Sequence, residues 1–148
     1  MSNGYAFGIN GFGRIGRLVA RIMSEDPNSN LKAINTGADA TYMAYQFKYD
    51  SVHGKFKGTV EVDGDDLLIN GKRIKTTHAR EPSAIPWKDL GVEYLCESTG
   101  VFLTAESAKA HVDAGVKKVI FSAPAKDKSP TIVMGVNEVI SISFWLDI

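Results

Sequence analysis

Residues 11–16 (Gly-Phe-Gly-Arg-Ile-Gly) constrain the fold of this chain more than any other feature of the sequence. The stretch before them, residues 5–10, is short and apolar, as expected for a buried strand. The stretch after them has apolar residues at helical spacing, namely Ile15, Leu18, Val19, Ile22 and Met23. This spacing predicts one buried face of a helix that ends near Pro27. The N-terminus is therefore predicted to run from a strand through a glycine turn into a helix.

Each glycine of this turn has a separate physical role in a strand–turn–helix that binds a dinucleotide. Gly11 allows the tight turn, Gly13 lets the backbone approach a pyrophosphate, and Gly16 permits close packing of helix on strand. The helix N-terminus adds unpaired N–H groups and a partial positive charge. Arg14 lies in the first turn and is expected near the phosphates. The alternatives are a glycine turn without a ligand and an arginine that is simply solvated.

The rest of the chain alternates between strand-like and helix-like patterns. The strand-like or apolar stretches are residues 31–35, 93–97, 116–122 and 131–136. Asp39 is the expected N-cap of a second helix. The apolar face of that helix consists of Ala40, Met43, Ala44 and Phe47. Thr104 is the expected N-cap of a third helix, which runs to Val112.

An antiparallel excursion is predicted at residues 59–77, where the spacing changes to strict alternation. Asp63-Gly64 and Asn70-Gly71 are hairpin turn signals within it. Strands that alternate with helices elsewhere indicate a parallel sheet covered on both faces. The predicted fold is α/β: a doubly wound, Rossmann-type, mostly parallel sheet with an antiparallel hairpin insertion.

Composition excludes several classes of function. The 148 residues carry no formal net charge, which argues against nucleic-acid binding and against an anionic membrane partner. The single cysteine, Cys96, permits no disulfide within the chain and is expected to be a buried structural thiol. His53, His78 and His111 are isolated and lack the spacing of metal ligands. A cytoplasmic location is expected, although a removed transit peptide would leave no trace.

Five segments together resemble the phosphorylating glyceraldehyde-3-phosphate dehydrogenases. They are residues 9–17 (INGFGRIGR), 49–56 (YDSVHGKF), 97–102 (ESTGVF), 122–124 (SAP) and 133–137 (VMGVN). The resemblance implies that residues 1–137 form the NAD(P)-binding domain of that family. Residues 138–148 are expected to be a divergent apolar tail, and the family's catalytic domain is expected to be absent.

The resemblance also implies roles for matched positions. Arg14 and Ile15 would give backbone amides to the pyrophosphate, Asn35 would lie by the adenosine, and Arg80 would line the adenine side. Ser122 would approach the ribose on the nicotinamide side. The alternative for each polar residue is a local hydrogen bond in a turn. The full set of expected cofactor-binding residues is Asn10, Gly11, Gly13, Arg14, Ile15, Gly16, Asn35, Thr36, Arg80, Ser98, Thr99, Gly100 and Ser122.

The family's cysteine nucleophile lies in a Ser-Asn-Ala-Ser-Cys-Thr-Thr-Asn-Cys motif soon after the segment that residues 133–137 resemble. Residues 138–148 do not contain this motif. No catalytic residue is therefore expected, and this chain alone is expected to be inactive. The alternatives are a non-catalytic dinucleotide-binding module and a truncated gene product. The expected partners are the cofactor and either further copies or full-length homologous subunits.

The sequence at the end of the second strand leaves the choice between NAD and NADP open. A carboxylate about 20 residues after the glycines normally holds the adenosine ribose and repels a 2′-phosphate. This chain has Asn35, Thr36 and Gly37 there instead. Relaxed specificity is expected, unless Asp39 shifts inward and restores the carboxylate.

Overall fold

The structure, a computed structural model, describes residues 4–138. A seven-stranded sheet, a two-stranded sheet and three α-helices make up this part of the chain, together with a short 3₁₀ turn at Pro82–Ala84. In chain order the elements are β1 Tyr5–Asn10, α1 Arg14–Glu25, β2 Ser29–Asn35, α2 Ala40–Lys48, β3 Tyr49–Asp50, β4 Gly54–Lys55, β5 Val60–Asp63, β6 Asp66–Ile69, β7 Lys72–Thr77, β8 Tyr94–Glu97, α3 Ala105–Asp113 and β9 Lys118–Phe121.

The large sheet has the strand order β5-β6-β7-β2-β1-β8-β9. Its five strands from β7 to β9 are parallel, and β5 and β6 extend it in antiparallel fashion. The predicted fold class is confirmed. The insertion is an extension of the main sheet, because β7 pairs with β2. The small β3–β4 sheet was not predicted.

The hairpin turns follow the predicted residues closely. Asn70 and Gly71 both have positive φ, 51° and 75°, as a type I′ turn requires. In the other hairpin Asp63 pairs with Asp66, so the central residues are Gly64 and Asp65, one position later than predicted.

The buried face of α1 agrees with the predicted apolar face only in part. Gly16 and Ala20 are buried against the sheet, whereas Ile15 and Ile22 are 47% and 68% exposed. A Cβ on Gly16 would overlap the Gly11 carbonyl oxygen. The close approach of helix to turn therefore selects small residues at the closest contact. Val19 and Met23 of the predicted face are partly buried against the core, whereas Ile15 and Ile22 face outward.

The other two helices begin as predicted. The Asp39 carboxylate accepts a hydrogen bond from Tyr42 N at 2.9 Å and caps α2. Thr104 caps α3 in a reciprocal arrangement with Ser107. These side chains satisfy backbone N–H groups that a helix otherwise leaves unpaired.

Two apolar clusters cover the two faces of the sheet, as expected for a doubly wound fold. One contains Ile9, Ile34, Met43, Phe47 and Leu67 beneath α1 and α2. The other contains Ala33, Ile85, Trp87, Leu95 and Val116 on the opposite face.

The apolar stretch at residues 131–136 contributes no strand and ends in turns. Ile132, Val133, Met134 and Val136 are 44–80% exposed there. The predicted tail falls almost wholly on residues 139–148, which lie outside the described residues. No helix in the described range, 4–138, is long and apolar enough to span a bilayer.

Candidate functional site

The carboxyl ends of the parallel strands meet at one edge of the sheet, and most of the predicted site residues lie there. β1 is central, with β2 on one side and β8 on the other, so the chain reverses its winding direction between β1 and β8. Ligands of open α/β sheets bind outside the strand ends at such a switch point. The ladder extends past the strands through Gly11 N to Asn35 O (2.8 Å) and Ser98 N to Asn10 O (2.7 Å).

The three glycines of the turn meet three different surroundings. Gly11 has a φ of +95°, and a Cβ there would come within 2.8 Å of the backbone of Ser98 and Thr99. Gly16 is packed against the Gly11 carbonyl, as described above. Gly13, in contrast, would carry a Cβ into open space. The turn therefore leaves room for close approach at Gly13, the position at which the motif admits a pyrophosphate.

The N-terminus of α1 has no capping side chain within the described residues, unlike those of α2 and α3. Gly13 is its N-cap, and Arg14 and Ile15 are exposed in its first turn. The Arg17 guanidinium donates to Phe12 O at 3.1 Å and braces the turn. Its buried Nε has no hydrogen-bond partner in the described part of the chain. Uncapped N–H groups beside an open glycine suit an anionic group.

A buried polar network, which sequence reasoning missed, lies beneath this turn. The Trp87 indole donates to His111 Nδ1 at 3.1 Å, and His111 Nε2 lies 3.0 Å from a Glu97 oxygen. An indole N–H can only donate, so His111 Nδ1 accepts and Nε2–H donates to the carboxylate. His111 is therefore neutral here, and it is far from isolated. Its partners are 14 and 24 residues away, a separation that no local pattern reveals.

Glu97 joins this network to both loops of the site. Asn10 Nδ2 donates to one of its oxygens at 2.7 Å, and the Thr99 backbone N–H donates to the other at 2.8 Å. Burial alone would raise the pKa of Glu97, but the hydrogen bonds from His111, Thr99 and Asn10 outweigh it and hold the pKa below its ordinary value. A single carboxylate thus fixes the β1–α1 turn relative to the β8–α3 loop.

Asn35 extends the hydrogen-bonded chain across the sheet. Its amide donates to Asn10 Oδ1 (2.8 Å) and Ala79 O (2.9 Å), and its oxygen accepts from Thr77 and Ala79. Asn35 and Asn10 are only 5% and 2% exposed. Their polar atoms bind protein groups here, so both residues hold strand ends in register.

Other predicted site residues lie on the open side of the same edge. Thr99, Gly100, Arg80 and Ser122 are exposed at the ends of β8, β7 and β9, and Ser98 is half-buried. The Thr99 hydroxyl also accepts from Val101 N at 3.1 Å, the local turn bond that was the alternative for this residue. Within residues 4–138 no group of three or more His, Cys, Asp or Glu could hold a metal ion.

Thr36 and Asp39 lie where β2 leads into α2. Thr36 N donates to Thr77 O at 2.9 Å, and its carbonyl accepts from His78 Nδ1 at 2.8 Å. Asp39 caps α2, as described above, and has not moved to the end of β2.

Cys96 is buried in β8, and burial raises the pKa of its thiol, so it has the character of a structural cysteine.

These features define a class of protein. A central parallel strand that leads through a glycine turn to an uncapped helix, at a switch point of the sheet, is a dinucleotide-binding Rossmann domain. Residues 5–105 match the model of the glyceraldehyde 3-phosphate dehydrogenase NAD binding domain. The chain belongs to this family and represents its cofactor-binding domain.

Curated relatives of this chain are named glyceraldehyde-3-phosphate dehydrogenase. A chloroplastic glyceraldehyde-3-phosphate dehydrogenase from Guillardia theta is 70% identical over 131 residues, which cover 88% of this chain and 34% of that protein. The enzymes of Podospora anserina and Shimwellia blattae are 56% and 52% identical, over 88% of this chain and 39% of theirs. The chain thus spans 34–39% of the length of these relatives.

Proposed function

We propose that this chain binds NAD or NADP with the pyrophosphate at the N-terminus of α1. The observation that carries the proposal is the open position at Gly13 beside a helix start with no capping side chain. The amides of Arg14 and Ile15 would donate to the phosphate oxygens. In the whole protein the domain would hold the nicotinamide for oxidation of glyceraldehyde 3-phosphate to an acyl phosphate, with the catalytic residues supplied from outside residues 1–148.

The strand order supports a direction for the cofactor along the sheet edge. Thr36 and Arg80 follow β2 and β7 on one side of the glycine turn, and Ser122 follows β9 on the other. In doubly wound folds the two nucleotide halves lie on opposite sides of the switch point. The adenosine would therefore lie over β2 and β7, and the nicotinamide ribose near Ser122. Gly100 and Thr99 would flank the centre.

Replacement of Gly13 with valine tests this site. A branched side chain at the open position would occupy the space of the pyrophosphate, so we expect cofactor affinity to fall by at least about tenfold, which is about 1.4 kcal/mol. The measurement is titration of NADH and NADPH by fluorescence, with circular dichroism to verify folding.

Ala105→Val is the matched control. It adds the same branched side chain to the first turn of α3, whose N-terminus is already capped by Thr104 and whose Ala105 N–H donates to Asp127. Its cofactor affinity should equal that of the parent. A folded Gly13→Val protein that binds as tightly as the parent would show that the pyrophosphate lies elsewhere.

We further propose a cytoplasmic location and assembly with other subunits of the family. The buried, free Cys96 thiol is compatible with a reducing compartment. The exposed apolar residues at 132–136 supply a surface for association.

A further inference from the structure

The corner between β2, β7 and α2 lacks the acidic group that dinucleotide folds use to read the adenosine ribose. That group normally follows the second strand, where its charge also repels a 2′-phosphate. Thr36, Gly37 and Ala38 hold this position here. The nearest carboxylate, Asp39, is engaged with the backbone of α2. A Cβ on Gly37 would meet nothing within 4 Å, so the corner has room for an additional group.

His78 is a side chain that the fold brings into direct contact with this corner. Its Nδ1 lies 2.8 Å from the Thr36 carbonyl oxygen, although the two residues are 42 positions apart. A carbonyl can only accept, so Nδ1 carries the hydrogen. The second nitrogen, Nε2, belongs to an exposed side chain and is the atom that would take up a proton. When protonated, the ring keeps its bond to Thr36 and offers Nε2–H to an anion.

We infer that His78 determines cofactor specificity in this chain, by donating Nε2–H in its protonated form to the 2′-phosphate of NADP. The inference rests on the proposed binding of a dinucleotide at residues 11–16, which puts the adenosine ribose at the end of β2. A charge-assisted hydrogen bond of this kind is stronger than a neutral one. NAD has a hydroxyl in place of the phosphate and gains little from the added charge.

Other charged groups on the elements that meet at this corner contribute to the electrostatic environment of His78. Arg80 and Glu81 lie on the same loop, and Asp39 lies at the start of α2. Lys75 on β7 is engaged with Asp66 at 2.7 Å. The proposed contribution of His78 depends on its charge, so it should appear as a pH dependence of the NADP-to-NAD affinity ratio.

The experiment compares NADP with NAD at about pH 6.5 and about pH 8.5. We expect the two affinities to lie within about tenfold of each other, with the NADP-to-NAD ratio rising about three- to tenfold at the lower pH. In His78→Gln the neutral amide can still donate to Thr36 but cannot become charged, so the rise of the ratio at the lower pH should disappear. Isothermal titration calorimetry of the oxidised cofactors gives all of these constants.

Two further variants sharpen the comparison. His53→Gln removes an exposed histidine from the β3–β4 turn, where it pairs with Asp50, and should leave the pH dependence of the parent intact. Thr36→Asp supplies the missing carboxylate and should reduce NADP affinity by more than about tenfold while NAD still binds.

The outcomes separate this inference from the proposed function. If the parent binds NAD but rejects NADP by far more than tenfold at both pH values, the role of His78 is wrong while dinucleotide binding stands. A ratio that keeps its pH dependence in His78→Gln also overturns the inference. If neither cofactor binds, the proposed function fails together with it.

Discussion

Gly13 and Gly16 lie three residues apart at the start of one helix, yet a methyl group added to each meets opposite surroundings. At Gly16 it would overlap the Gly11 carbonyl oxygen, and at Gly13 it would meet no atom within 4 Å. We expect Gly16→Ala to destabilise the fold by about 1–3 kcal/mol, because backbone must move to relieve the overlap. Urea unfolding followed by circular dichroism measures the difference.

Gly13→Ala is the matched control, and its unfolding midpoint should lie close to that of the parent. Gly16, unlike the N-cap Gly13, lies within α1. Glycine-to-alanine changes within a helix usually stabilise it, by about 0.5–1 kcal/mol. A Gly16→Ala protein that gained stability in this ordinary way would show that α1 does not pack so closely against the glycine turn.

At the scale of elements, we expect the network around Glu97 to make the stability of the folded domain depend on pH. Because hydrogen bonds lower the pKa of Glu97 in the folded state, its contribution to stability is present above the ordinary carboxyl value of 4.5. That contribution is lost as the pH falls below this value and through the folded pKa. We expect Glu97→Gln to be less stable at neutral pH and to lose less stability on acidification.

Urea midpoints between about pH 7 and about pH 3 test this expectation. Glu61→Gln on β5 is the control, since it removes an exposed carboxylate far along the sheet. Parallel pH profiles for the parent and Glu97→Gln would exclude Glu97 as the source of the dependence.

Elements whose signals are local could be predicted from the sequence. The β1–turn–α1 unit and the caps at Asp39 and Thr104 depend on residues within a few positions of one another, and the structure has them as predicted. The buried face of α1 could be predicted only in part: Val19 and Met23 pack against the core as expected, but Gly16 and Ala20, the most buried positions, carry almost no hydrophobic signal. Close tertiary packing requires small residues at these two positions, and hydrophobic periodicity does not reveal that requirement.

The candidate site likewise has features that the sequence predicts and features that it does not. The glycine turn follows from spacing alone, whereas the hydrogen bonds of His111 and the contact of His78 with Thr36 join residues far apart in the chain. Asn35 was expected at the adenosine because of the family resemblance. Its position there stays a prediction, and the structure adds that its amide also ties together three strands.

At the scale of the whole molecule, the described surface carries large apolar side chains that are exposed to water. Met134 and Val136 are 80% and 77% exposed, and Ile22 on α1 is 68% exposed. Exposed apolar patches promote association. We expect the chain to self-associate, with an average mass above the 16.1 kDa of a monomer in light scattering.

Lysine at both Met134 and Val136 should shift the mass toward that of a monomer. Val52→Lys, at a valine that is also highly exposed (70%) in the β3–β4 turn, is the control and should leave the mass unchanged. A parent that is already monodisperse and monomeric would contradict the expectation.

The bond from Trp87 to His111 makes the strand-end network visible to spectroscopy. The indole is fully buried, and its N–H points at a histidine that holds Glu97. Its emission should be that of a solvent-shielded tryptophan, and its ring proton should exchange slowly with deuterated water. Any opening between α3 and the sheet would shift the emission to longer wavelength and speed the exchange. With Trp145 replaced by phenylalanine, so that no second indole contributes to the emission, Trp87 offers a built-in reporter of order at the strand ends, readable without a label.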